Sequence, residues 1–197
     1  MARAGLTAER LTVAAAELAD ELGLEHVTLS ALARRFDVKV ASLYAHVTSS
    51  ADLRTRLAVL ALDEMATRVA DALAGRSGKD ALRAFADAYR DYAREHPGRY
   101  AASHGPLDDE TAVRSAGPRH AEMSRAVLRG YALVGDDETH AVRLLGSLVH
   151  GFVDLELAGG FSHSRPDAST SWARSLDALD ALLRAWPSPD PTDPEPS

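Results

Sequence analysis

Between Thr28 and Val47 the chain reads TLSALARRFDVKVASLYAHV, and the chemistry available there is that of hydrogen-bond donors rather than of a reaction. Thr28, Ser42 and Tyr44 bring hydroxyls, His46 an imidazole and Lys39 an ammonium. Such groups, together with helix amides, are competent donors to phosphate oxygens; phosphate contacts fix register while base contacts specify. No nucleophile paired with a base accompanies them. The motifs of serine hydrolases, zinc peptidases, phosphate-binding loops and dinucleotide-binding turns are absent from the chain. His104, His120 and His140 are scattered without the spacing of metal ligands, and His150-Gly151 has no paired nucleophile. No metal, no cofactor and no enzymatic activity are expected.

Those donors sit on two short apolar-periodic segments. Leu29, Leu32, Ala33 and Phe36 form the stripe of the first, behind a Thr28 N-cap. Asp37 stands at the bend, where Asp tolerates left-handed backbone, and Val38 plugs the turn. Leu43 and Val47, four apart, turn the second segment inward and leave Ala41, Ser42, Tyr44 and His46 on its other surfaces. A tight αα corner of this size with polar residues outward is the form of a helix-turn-helix, whose second member probes the DNA major groove. Lys39, just before that member, reaches either phosphate or base. The plainer roles are half-buried packing for Tyr44 and a helix C-terminal cap for His46.

The rest of the chain must position this corner. Upstream, Thr7 caps a first helix carrying Leu11, Ala15, Leu18 and Leu22, which ends near Gly23. Downstream, Ser49 and Asp52 form a capping-box variant opening a long helix striped with Leu53, Leu57, Leu60, Met65 and Val69. Further helices are expected over about 79–95, from Pro97, through a segment interrupted at Gly117-Pro118, from Asp136 to Gly159, and from about Ser171. Frequent alanine, sparse β-branched residues and no strict alternation predict an all-α chain of about nine helices. The expected organisation is a DNA-binding head over residues 1–48, a helical ligand-sensing and dimerisation body over 49–186, and a tail over 187–197, PSPDPTDPEPS, expected to be disordered.

Composition sets the outer bounds. With 46% hydrophobic and 26% charged residues in 197, the chain is globular in type. It has no cysteine, so neither a disulfide framework nor a thiolate zinc site is possible. No apolar run approaches the ~20 residues of a membrane span, and the amino terminus lacks the apolar run of a signal peptide. A cytoplasmic protein without membrane contact is expected. The net charge of −7 lies entirely outside the head: residues 1–57 carry seven Arg/Lys against seven Asp/Glu, and the other 140 carry 15 against 22. A neutral head still binds phosphate if its cations share a face; the alternative is that they are merely solvated.

The segment from Leu11 to Leu53 resembles the amino-terminal domain of the tetracycline-repressor (TetR) family of transcriptional regulators. The resemblance is carried by Ala15-Ala16-Glu17-Leu18, Glu21-Leu22-Gly23, the Thr28 cap, Leu32-Ala33-Arg34-Arg35-Phe36, Val38 and Ser42-Leu43-Tyr44-Ala45-His46-Val47. It implies that Thr28 caps its helix at a phosphate, that Ala41 and Ser42 lie near base edges, and that Tyr44 and His46 hold the DNA backbone. Two departures stand out. Asp37 replaces the usual turn glycine. Ser50 replaces a usual lysine, which removes a phosphate contact and should flatten the salt dependence of binding, unless Arg54 or an Arg3/Arg10 arm compensates. A second stretch, Leu148-Val149-His150-Gly151-Phe152-Val153-Asp154-Leu155-Glu156 with Gly159-Gly160-Phe161, resembles a TetR subgroup with a Trp/His-Gly signature, although the tryptophan is missing from Arg143-Leu144-Leu145-Gly146-Ser147. That resemblance implies a sensing and dimerisation domain.

For a ligand, Phe85, Tyr89, Tyr92, Tyr100, Met123, Leu148 and Phe152 are candidates to line a cavity between the middle helices, with plain core as the alternative. For a dimer interface the candidates are Leu144, Leu148, Leu155, Trp172, Leu176, Leu179 and Leu183, since an apolar stripe that wide on terminal helices needs a partner. The sequence therefore predicts a homodimeric repressor released from a near-palindromic operator by an unidentified small-molecule effector. The alternatives are a ligand-independent regulator or activator of the same fold, or a helical protein-interaction module.

Overall fold

Side-chain caps define where the helices start, and they fall where short polar residues precede apolar stripes. In the computed structural model, which describes residues 5–186, Thr7 Oγ1 accepts from the Arg10 amide at 3.2 Å and Thr28 Oγ1 from the Ala31 amide at 3.1 Å. Ser49 Oγ accepts from the Asp52 amide at 3.0 Å, while Asp52 Oδ2 reaches back to the Thr48 amide at 2.8 Å rather than to that of Ser49. The 187–197 tail and Arg3 lie outside the described residues.

Among the described residues there is no strand. Nine α-helices follow one another: α1 (Ala8–Leu22), α2 (Leu29–Phe36), α3 (Ser50–Leu73), α4 (Gly78–Glu95), α5 (Pro97–Ser103), α6 (Asp109–Arg114), α7 (Gly117–Leu128), α8 (Asp136–Leu157) and α9 (Ala168–Arg184). Two 3-10 turns, Leu24–His26 and Val40–Ala45, complete them. The second corrects the expectation of an α-helix in the probing segment. Its bonds run from the Ser42 amide to Lys39 O and from the His46 amide to Leu43 O, both at 2.9 Å. Six residues pinned by Leu43 at one point and by the left-handed Asp37 (φ 52°) and the Ser49 cap on either side leave no room for α-helical propagation.

Two buried clusters organise the packing. The head cluster joins Leu11, Leu18, Leu29, Leu32, Leu43 and Val47 to Leu53 and Leu57 of α3, with Ala102 of α5 also in it. Leu22, expected in the first stripe, faces outward instead. The body cluster gathers Met65 and Val69 of the same α3 with the inward faces of α4, α7, α8 and α9. Helix α3, at 24 residues, thus runs through both clusters without a linker.

The C-terminal helix is where the sequence-based expectation needs correcting most. Trp172, Leu176, Leu179 and Leu183 are candidates for contact with a partner by their spacing, but all four are buried within the single chain. Polar ties hold α9 down on the neighbouring helices. Trp172 Nε1 donates to Asp87 at 2.7 Å, Asp177 receives Lys79 and Arg83 of α4, and the Tyr131 hydroxyl donates to Asp180 at 2.8 Å. The two cations beside Asp177 hold its carboxyl down at about 2. Of the seven residues, Leu144 and Leu148 are half-buried at the cluster's edge and Leu155 is 56% exposed. Leu182, which lies on the apolar stripe of this helix but is not among those seven, also faces outward at 47%.

Candidate nucleic-acid interface and body core

The head presents its polar residues from a rigid base. Leu43 and Val47 are fully buried, which fixes the 3-10 turn and leaves Ala41, Ser42 and Tyr44 exposed, the last at 55%. Lys39 is exposed one residue before the turn, and His46 is half-buried at its C-cap. Thr28 uses its hydroxyl to cap α2. The six sequence-predicted positions are therefore the N-cap of α2 (Thr28), the 3-10 turn (Ala41, Ser42, Tyr44) and the two residues that cap that turn (Lys39, His46).

The head's cations divide into two groups. Arg35 bridges α2 to α1 through Glu17 and Glu21 at 2.8 and 2.9 Å, so its role is internal. Arg56 pairs with Asp52 at 2.8 Å, and Arg10 donates to Gly5 O while its guanidinium lies over the Phe36 ring. Among the described residues, Lys39, Arg34 and Arg54 are exposed and take part in no ion pair, which leaves them as the cations open to a phosphate.

A joint that sequence spacing does not reveal connects head to body. Gly98 of α5 lies so close to α1 that an added Cβ would fall on the backbone carbonyl of Ala19. Beside it, Asp20 accepts from the Arg99 amide at 3.0 Å and meets the His96 ring at 3.1 Å. Arg99 also reaches Glu64 of α3 at 3.1 Å, and the Tyr92 hydroxyl donates to the same carboxylate at 2.9 Å. The joining residues lie 28 to 79 positions apart, so only the folded chain brings them together.

In the body, Phe85, Tyr89, Tyr92, Tyr100 and Met123 are buried in one cluster, with Leu148 and Phe152 packed at its edge. The structure adds what the sequence leaves scattered: His104, His120 and His150 converge on Tyr89 and Tyr100. His120 Nε2–H donates to Leu62 O of α3 at 2.9 Å, so its Nδ1 accepts from the Tyr89 hydroxyl. His104 Nδ1–H donates to Tyr100 O at 2.9 Å, leaving Nε2 to accept from His150 Nδ1–H at 3.1 Å; the Tyr100 hydroxyl lies 2.8 Å from the same nitrogen. The Tyr89 and His150 rings meet edge to face at 5.4 Å. Among the described residues no three His, Asp or Glu side chains converge as metal ligands.

Burial pushes the His150 imidazole down from 6.5 to about 4, with His104 adding to the shift and Asp154 opposing it; burial lowers His120 as well. The unfolded chain takes up a proton below pH 6.5 that folded His150 refuses until about 4. Stability should therefore decline as pH falls through that window. Thermal unfolding followed from pH 7 to pH 5 should show a smaller decline in His150→Asn than in the unsubstituted chain. Identical profiles would count against this account.

An all-α chain whose head carries a helix-turn-helix, set on a helical body, is a helix-turn-helix DNA-binding regulator in class. Residues 82–179 match the family model "Tetracyclin repressor-like, C-terminal domain". The chain is 36% identical over 84% of its length to the uncharacterized HTH-type transcriptional regulator Rv0681 of Mycobacterium tuberculosis, spanning 77% of that protein. It is 35% identical over 78% of its length to the uncharacterized HTH-type transcriptional regulator YobS of Bacillus subtilis, spanning 80% of it. The chain belongs to the TetR family of transcriptional regulators, proteins that bind DNA and are not enzymes. Its fold matches that of a protein of unknown function from Rhodococcus sp. RHA1 at a TM-score of 0.76, with 20% identity over 91% of this chain and 96% of that one. It also matches a TetR variant from Acinetobacter baumannii AYE in complex with minocycline, at 0.69 with 24% identity over 93% and 100%. Among the described residues no helix is long and apolar enough to cross a membrane.

Proposed function

We propose that the protein is a homodimeric repressor whose two heads bind a near-palindromic operator and are released when a small molecule enters the body. The observation that carries this reading is the head surface: Ala41, Ser42 and Tyr44 stand exposed on a turn anchored by fully buried Leu43 and Val47, with the open cation Lys39 beside them. In this reading Tyr44, His46 and Thr28 contact phosphates, Ala41 and Ser42 meet base edges, and Lys39 serves either. The dimer forms through the outer faces of α8 and α9, where Leu144, Leu148, Leu155 and Leu182 offer apolar surface. The effector enters among Phe85, Tyr89, Tyr92, Tyr100, Met123, Leu148 and Phe152, at a coupling of ~1–3 kcal/mol to the heads. The A. baumannii protein of the same fold is in complex with minocycline, which supports a small-molecule effector here. A regulator that works without an effector is the second reading, favoured by the direct packing of the Tyr89, Tyr100, His104 and His150 rings on one another.

Gel shifts against the DNA flanking the protein's own gene test the head. Tyr44→Ala should weaken operator binding about tenfold with helical content unchanged, because an exposed side chain removes contacts without opening the core. An unshifted operator at low salt, with a folded dimer verified by light scattering, would overturn the DNA-binding assignment.

A further inference from the structure

A cleft between head and body offers a binding site that the reading above does not use. One wall is α1 of the head with Val13, the floor is α3 with Val59 and Leu60, and the far wall is the α6–α7 corner with Arg114 and Ala116. It encloses about 560 Å³, within the range of drug-sized ligand sites. Val13, 46% exposed, gives the cleft apolar surface that no other described part of the chain covers.

Most of the polar groups around that surface are committed to one another. The hydroxyls of Thr12, Thr111 and Ser115 bond to Ala8 O, Asp108 Oδ2 and Ala112 O at 2.8, 2.9 and 2.8 Å. Arg56 is held by Asp52 at 2.8 Å and Arg114 by Glu110 at 3.0 Å. Asp63, exposed at the body end, has neither ion pair nor hydrogen bond to its carboxylate among the described residues. With Glu9 at the head end and Asp52 beside Arg56, the lining carries three carboxylates against the two cations Arg56 and Arg114, an excess of one negative charge. An anionic ligand would meet this excess, and a neutral one would leave it unanswered.

We propose that the cleft binds an amphipathic organic cation, its apolar body on Val13, Val59 and Leu60 and its charge toward Asp63 and Glu9. The site is separate from the body core and stands whether or not an effector binds there. Because its walls belong to different parts of the protein, an occupant ties α1 to the α6–α7 corner and so biases the orientation of the head.

Isothermal titration of the full chain with tetraphenylphosphonium, and with its isosteric anion tetraphenylborate, tests this. The cation should bind and the anion should bind at least about tenfold more weakly, since reversing the ligand charge turns attraction into repulsion. Asp63→Asn should loosen the cation about fivefold and Val13→Lys, which places an ammonium in the cleft, by more than that. Val134→Ala, at an exposed position outside both the cleft and the body core, should leave the titration unchanged. Equal binding of both ions, cation binding that survives the two cleft substitutions, or absence of cation binding would overturn the proposal. The titration contains no DNA, so a failure of operator binding in gel shifts has no bearing on its outcome.

Discussion

Gly98→Ala is expected to lower the unfolding temperature by roughly 6–12 °C, a loss of about 3 kcal/mol in a chain of this size. The added methyl would fall on the carbonyl of Ala19 and close to the Asp20 amide, which are α1 backbone and cannot move aside as a side chain would. Relief requires α5 to slide off α1, and that carries Arg99 away from Asp20 and Glu64 together. The loss should therefore exceed the cost of one crowded methyl. Gly146→Ala in α8 is the matching control. No atom lies within 4 Å of its added methyl, and alanine in a helix interior should stabilise by about 0.5–1 kcal/mol. Thermal unfolding of both variants checks the pair; a Gly98→Ala protein as stable as its parent would mean that α1 and α5 are not docked this closely.

Arg90→Ala should cost about 3 kcal/mol, because it strands the half-buried Glu156 carboxylate. Arg90 is 7% exposed and grips Glu156 of α8 through two bonds, at 2.7 and 2.6 Å. It also donates to Ser169 of α9 at 3.2 Å and lies 5.3 Å from the centre of the Trp172 ring. One guanidinium thus fastens α4 to two other helices. Replacing both charges, as Arg90→Met with Glu156→Met, should recover most of the loss, since the desolvation cost of the pair disappears with it. Urea unfolding followed by tryptophan fluorescence separates the cases; a single variant no worse than the double would refute the stranded-charge account. The bond to Arg90 holds the Glu156 carboxyl below its ordinary 4.5. A depressed carboxylate stabilises above that value, and the contribution is lost as pH falls through the lower, folded one. Wild-type stability should fall on acidification past this point more than that of the double variant.

The head is legible in the sequence because each of its signals is local. Thr28 caps within three residues, Asp37 turns the chain at one residue, and Leu43 and Val47 mark the buried side by their spacing alone. The handedness of the turn comes through, while the 3-10 winding of the segment does not, because a stripe of two apolar residues fits either geometry. The last helix shows the limit more clearly. A stripe of Trp172, Leu176, Leu179 and Leu183 declares that something covers it, and the pattern is the same whether the cover is α4 of one chain or a second copy. What decides the matter are ties from Asp87, Lys79 and Arg83, about 85 to 100 residues away, which no spacing rule connects to α9. The histidines escape sequence reading for the same reason: His104, His120 and His150 share no period, and three different helix ends and faces bring them to Tyr89 and Tyr100.

The uninterrupted course of α3 bears on how such a protein could be recombined. Its 24 residues extend about 36 Å and fill the head cluster with Leu53 and Leu57 before filling the body cluster with Met65 and Val69. A head transplanted as residues 1–48 would leave Leu53 and Leu57 behind and arrive with its hydrophobic centre open. One cut after Leu60 would keep them, but would still lack Ala102, and would have to splice a helix in mid-course, in register with a foreign partner. New operator preferences are therefore more readily acquired by exchanging side chains on the exposed turn than by exchanging the module that bears it.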